Sequence, residues 1–157
     1  MTMTSEGERM DDVVRDLAAR VRALEDREAI FGLFMAYRRC LDEKDFSGYA
    51  DLFARDGEFV AGEMVARGRA EIRALVDGML GTLLTDGAGD DRHVVVNPAI
   101  ELDGDRARAR CTWIYIVRTD DDQPSVCKVG HYDDTLVRED GAWRFLRREA
   151  PTDMPRV

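Results

Sequence analysis

ELDGDRARARCTWIYIVRT, residues 101–119, decides the fold. Asp103-Gly104 is a hairpin turn signal, because both residue types accept the positive φ of a tight two-residue turn. The run that follows alternates strictly. Ala107, Ala109, Cys111, Trp113, Tyr115 and Val117 fall on one face of a strand over 106–119, and Arg106, Arg108, Arg110 and Thr112 on the other. A strand with one apolar and one charged face covers a core on one side and meets water on the other. Upstream, residues 93–102 read as its hairpin partner. Downstream, TDDDQPS is a turn, Val126–Arg138 a third strand, Asp140-Gly141 a second hairpin turn and Ala142–Arg148 a fourth strand. The last third is therefore an antiparallel meander.

Toward the N-terminus the period changes. Ile72, Leu75, Val76 and Met79 set a helix over 69–80, and the Gly- and Asp-rich stretch Gly81–Asp91 reads as a mobile loop able to serve as a lid. Two short strands are expected at Glu58–Ala61 and Met64–Arg67, and a short helix at Phe46–Phe53. Ile30, Phe31, Phe34, Tyr37, Cys40 and Leu41 mark a helix from an N-cap at Asp26 to about Lys44, preceded by an amphipathic helix through Met10, Val13, Val14, Leu17, Val21 and Leu24. Helices first and a meander after them define an α+β domain, with helices on one face of a curved antiparallel sheet. Residues 1–8 are expected to be a flexible N-terminus, 9–150 one domain and 151–157 a C-terminal tail.

The chain has 157 residues, enough for one domain with a real core, and a formal net charge of −9. That charge repels phosphate backbones, and no basic cluster offsets it, so nucleic acid is an unsuitable partner. No stretch approaches a membrane span. The three cysteines, Cys40, Cys111 and Cys127, are odd in number and far apart, which fits reduced thiols in the cytoplasm. The two histidines are 38 positions apart without carboxylates at ligand spacing, so no metal is expected. No phosphate loop or nucleophile elbow is present, and no cofactor is implied.

LEDREAIFGLFMAYRRCLDEKDFSGYADLFARDGEF, then RHVVVNPAIELDGDRARAR, then GHYDDTLVREDGAWRFLRR resemble the SnoaL-like branch of the nuclear-transport-factor-2-like (NTF2-like) superfamily over roughly residues 20–150. The resemblance implies a cone of curved sheet and helices around a deep apolar pocket. It also implies a homo-oligomer, dimer or trimer, and a small apolar molecule as partner. The family holds dehydratases, isomerases, polyketide cyclases and binders without catalysis, so the fold alone does not decide among them.

By the same resemblance Asp42 and His93 occupy the acid–base positions of the dehydratase branch, and Tyr37 the position of a hydrogen-bond donor to substrate. The chemistry needs these types. Taking a proton beside a leaving group requires a base that titrates near neutrality, and histidine is one. A carboxylate fixes its tautomer and stabilises the imidazolium. A phenol polarises a carbonyl or hydroxyl without carrying charge. Tyr37 is alternatively a core aromatic. Tyr132 and Asp134 share a strand face, where Asp134 would orient a substrate or bind an arginine, and His131 takes the outer face. Asn97 shares the parity of His93 and would offer an amide to the pocket. Trp113 and Tyr115 line its wall or pack the core. The expected activity is a cofactor-independent lyase, with isomerisation, ring closure or simple binding as the other readings.

Overall fold

The computed structural model describes residues 3–83 and 91–155. Helix α1 (Met3–Glu43) is a single helix of 41 residues, not two. Asp26 is no cap. It lies mid-helix, and its Oδ1 accepts from Arg138 Nη2 at 2.5 Å and from Trp143 Nε1 at 3.1 Å. The polar stretch about Glu25–Glu28 reads as a boundary, yet it holds no proline and belongs to a solvated helix surface. Residues 3–8, expected to be flexible, are helical for the same reason.

The C-terminus of α1 is fixed by a Schellman cap. Lys44 adopts φ of 60°, Asp45 N donates to Cys40 O at 2.9 Å and Lys44 N to Leu41 O at 3.2 Å. This cap sets the direction in which Asp42, two residues before the left-handed turn, projects. Asp45 then caps α2 (Phe46–Asp51) by accepting from Gly48 N at 2.8 Å.

Strand β1 (Phe53–Ala61) begins five positions before the expected Glu58. Its pairing is interrupted between Phe53 and Glu58, and Arg55 and Asp56 stand exposed there, so the stretch reads as a turn. Strand β2 (Met64–Arg67) and helix α3 (Gly68–Leu83) follow. The remaining strands are β3 (Arg92–Asp103), β4 (Arg106–Arg118), β5 (Pro124–Glu139), β6 (Ala142–Glu149) and β7 (Thr152–Met154). The loop expected at Gly81–Asp91 falls mostly on 84–90, outside the described residues, and its first three residues belong to α3. Part of the expected tail is strand, since β7 pairs with β5.

The seven strands form one sheet in the order β2-β1-β6-β5-β4-β3, with β7 beside β5. The expected antiparallel meander is present in β3 to β6, and the sheet is mixed at one pair, where β1 runs parallel to β6. Register shifts at Val96/Ala99, Tyr115/Ile116 and Thr135/Leu136 bend the long strands. The resulting concave face carries Ala107, Ala109, Cys111, Trp113, Tyr132 and Leu136, the faces that the alternation predicts. They join Ile30, Phe34, Tyr37 and Leu41 of α1 in one core.

Candidate active site

Asp42 and His93 meet. His93 is the second residue of β3, and the capped end of α1 lies against it. One oxygen, Asp42 Oδ1, accepts from the His93 backbone N–H at 3.0 Å and lies 3.1 Å from ring Nδ1. The other, Oδ2, accepts from Arg38 Nη1 at 2.8 Å. Arg38 was not singled out in the sequence, although its i, i+4 spacing to Asp42 is a salt-bridge signal. With Nδ1–H donated to the carboxylate, the neutral imidazole keeps its lone pair on Nε2. The ring rests against Tyr115, centroids 4.8 Å apart.

His93 forms part of the wall of a cavity of about 700 Å³ between the concave face, α1 and α3. Tyr37, Leu41, Tyr49, Phe59, Val76, Trp113, Tyr115 and Tyr132 also line it, together with Lys128, Pro151 and Thr152 from the β5 and β7 side. Such a volume suits a small organic molecule, and the lining is largely apolar. Trp113 and Tyr115 are wall residues as well as core residues, for both are partly or largely buried.

Three phenols converge on the cavity. Tyr49 Oη donates to Tyr37 Oη at 2.8 Å, which leaves the Tyr37 proton free for another acceptor. Burial pushes Tyr37, Tyr49 and Tyr132 above the ordinary phenol value, so all three are neutral donors at neutral pH. Tyr115 donates to the buried Asp91 at 2.9 Å, and burial together with that carboxylate pushes its phenol up too.

Beneath the phenols lies Arg148, with no exposed surface. Its Nε and Nη2 donate to Asp134 Oδ1 and Oδ2, both at 2.7 Å. Its guanidinium carbon sits 4.1 Å from the Tyr37 ring centroid and 4.0 Å from those of Tyr132 and Phe145. Nη1 is buried without a hydrogen-bond partner, in a guanidinium that lies against these rings. Burial pulls Arg148 toward its neutral form, but Asp134 outweighs it and the cation is held. Burial pushes the Asp134 carboxyl up. The two short parallel bonds are those of an ionised pair, and Arg148 cannot give up its proton, so both remain charged at neutral pH. Of the two roles open to Asp134, the structure selects binding an arginine. Both of its oxygens are committed to Arg148, and Asp134 does not line the cavity.

Asn97 is not in the cavity. It lies at the β3 bulge with φ of 55° and is exposed, so the extra residue breaks the parity that would place it beside His93. His131 takes the outer face, where Asp153 Oδ2 lies 2.8 Å from Nδ1. A second hollow of about 350 Å³ on that outer face is lined by Glu101, Arg108, Arg110, Asp133, Arg147 and Glu149. These charges answer one another across strands, as in Arg110–Asp133, and the hollow lacks a base in a dry wall. Among the described residues no cluster of three or more His, Cys, Asp or Glu could hold a metal, and no helix is long and apolar enough to cross a membrane.

A curved sheet wrapped on a long helix, with an apolar cavity and a histidine in its wall held by a carboxylate, defines a class of small pocket proteins. The SnoaL-like domain matches residues 22–149, and the chain belongs to that family. It is similar to an NTF2-like protein of cystatin-like fold from Novosphingobium aromaticivorans, at 32% identity over 91% of this chain and 92% of that one, TM-score 0.81. It also resembles a candidate scytalone dehydratase from that organism, at 27% identity over 84% and 87%, TM-score 0.71. A candidate aromatic ring hydroxylase from the same source matches at 26% identity over 84% and 92%, TM-score 0.70. No curated protein matches the chain.

Proposed function

We propose that the chain is a cofactor-independent lyase of the dehydratase type, acting on a small apolar compound that carries a hydroxyl β to a carbonyl. The observation that carries this reading is the 3.1 Å contact of Asp42 Oδ1 with Nδ1 of His93, whose ring forms part of the wall of the apolar cavity. His93 Nε2 takes the proton from carbon, the C–O bond to the hydroxyl breaks, and the imidazolium returns the proton to that oxygen as water leaves. Asp42 holds the ring and stabilises its charged form. Tyr37, relieved of its donor role toward Tyr49, donates to the carbonyl oxygen as negative charge develops there. The likeness to a candidate scytalone dehydratase supports the reaction class.

The test is water loss from a panel of small aromatic and alicyclic β-hydroxy carbonyl compounds, followed by mass spectrometry. Conversion by the parent chain, lost in His93→Ala and lowered by at least about 10²-fold in Asp42→Asn with unchanged circular dichroism, supports the proposal. Equal conversion by the variants, or rearranged products without loss of water, would refute it. Products of rearrangement would assign the same pair to isomerisation or ring closure.

A further inference from the structure

The first turns of α1 carry an apolar stripe that nothing else among the described residues covers. Met10, Val13, Val14, Leu17, Val21 and Leu24 are 50% to 67% exposed. Six large apolar side chains on one solvated face are more than scattered surface residues explain. Five of them, Met10, Val14, Leu17, Val21 and Leu24, recur at alternating steps of four and three. That is the heptad seam of a coiled coil, with Met10, Leu17 and Leu24 at d and Val14 and Val21 at a. A β-branched residue at a with leucine at d favours two parallel strands.

The flanks commit the face further. In this register Arg20 is a g residue and Glu25 the next e residue. A parallel pair sets g of one helix against the following e of the other, so Arg20 meets the second copy's Glu25, twice by symmetry. Arg20 is free to do so, for its intrahelical contact to Asp16 is a loose 3.8 Å between highly exposed side chains. Val13 at g likewise meets Ala18 at e, which widens the apolar seam. An antiparallel pair would set g against g and e against e, and the Arg20–Glu25 match would be lost. The seam ends at Glu28, the next a position, where two like charges would face each other. Just before it Asp26 is tied to Arg138 and Trp143, so the helix that enters the seam is already nucleated by the folded body.

We infer that residues 10–24 of α1 pair with the same segment of a second copy of this chain as a parallel two-stranded coiled coil. The pairing leaves the pocket of each copy untouched.

The test is the mass of the full chain in solution by light scattering after size exclusion. Twice the mass of one chain is expected, and reversion to one chain in Leu17→Glu and in Val14→Glu with helical content retained. The charges are tested by Arg20→Glu and Glu25→Arg. Each alone weakens the pair, whereas a mixture of the two variants forms mixed dimers in excess over either homodimer. A mass of one or three chains for the parent, a dimer that survives both seam variants, or mixed dimers at no more than the statistical fraction overturns the inference. In a Cys127→Ser background, which removes the exposed native thiol, oxidation of Leu24→Cys, a d position, gives a covalent dimer only if the helices run parallel and in register.

Discussion

A single oxygen of Asp42 serves both the backbone N–H and the ring of His93, at 3.0 Å and 3.1 Å. The carboxylate is therefore a structural tie between α1 and β3 and an electrostatic partner of the imidazole, and substitution separates the two roles. Asn keeps an acceptor oxygen and loses the charge. Ala loses both. Asp42→Asn is expected to keep the fold and lower turnover by about 10²–10⁴-fold, the range for a lost acid–base contribution. Asp42→Ala is expected to cost in addition about 1–2 kcal/mol of stability, because a part-buried strand N–H is left without a partner. Urea titration beside turnover separates them. Equal stability of the two variants would show that the tie is not used.

The Arg148–Asp134 pair holds two charges with no exposed side-chain surface under the phenols. Arg148→Met leaves a carboxylate buried without its partner and is expected to destabilise by about 3–5 kcal/mol. Arg148→Met combined with Asp134→Leu removes both charges and should recover much of that loss. Chemical denaturation of the three variants measures it. A double variant no better than the single one would mean that the surrounding rings of Phe34, Tyr37, Tyr132 and Phe145, rather than the carboxylate, hold the arginine in place.

The strands were legible because alternation is local: β4 is set by its own residues, and Asp103-Gly104 and Asp140-Gly141 mark the turns. The parallel pairing of β1 with β6 was not, since it joins residues as far apart in sequence as Phe53 and Phe145 and leaves no local mark. Asn97 failed for the opposite reason. Parity places it beside His93, but a bulge adds one residue and turns the side chain out. Asp42 and His93 were found through the family resemblance. Arg148 was invisible as a floor residue because an arginine in FLRR reads as surface, and only the paired Asp134 hinted at a buried cation. Helix α1 reads as two helices because charge density about Asp26 mimics a boundary, when Asp26 in fact reaches across to the β5–β6 hairpin.

That reach makes an acid-sensitive clamp. Partial burial pushes the Asp26 carboxyl up, but hydrogen bonds from Arg138 and Trp143 outweigh it and hold the carboxyl below its ordinary value of 3.8. A carboxyl lowered in the folded state stabilises fully above the unfolded-state value. Its contribution falls away as pH drops through the lowered value, because the unfolded chain binds the proton first. Asp26→Asn is expected to lose on the order of 1 kcal/mol at neutral pH, as for a partly exposed pair. Below the ordinary carboxylate range the parent and the variant should converge. Thermal melts followed by tryptophan fluorescence from pH 7 downward test this, and a gap that is constant with pH would count against the clamp.

Gly130 joins packing to the pocket. It is buried in β5, paired to Trp113, and a Cβ there would lie 2.2 Å from the carbonyl oxygen of Pro151 and 2.3 Å from the Trp113 ring. Neither neighbour yields freely. Pro151 O accepts from His131 N at 3.3 Å, and Trp113 Nε1 donates to His131 O at 3.0 Å. Trp113, Pro151 and Thr152 all line the cavity, so room for one methyl group has to come from the cavity wall. Gly130→Ala is expected to cost about 1–3 kcal/mol through overpacking and to weaken binding of an apolar probe dye, with Trp113 fluorescence shifted. Gly32→Ala is the control. No atom lies within 4 Å of its added Cβ, and it sits inside α1, so it should stabilise by up to about 1 kcal/mol with probe binding unchanged. If Gly130→Ala lowered stability but left dye affinity and Trp113 emission as they were, the strain would be absorbed by β7 alone and the cavity wall would be softer than its contacts indicate.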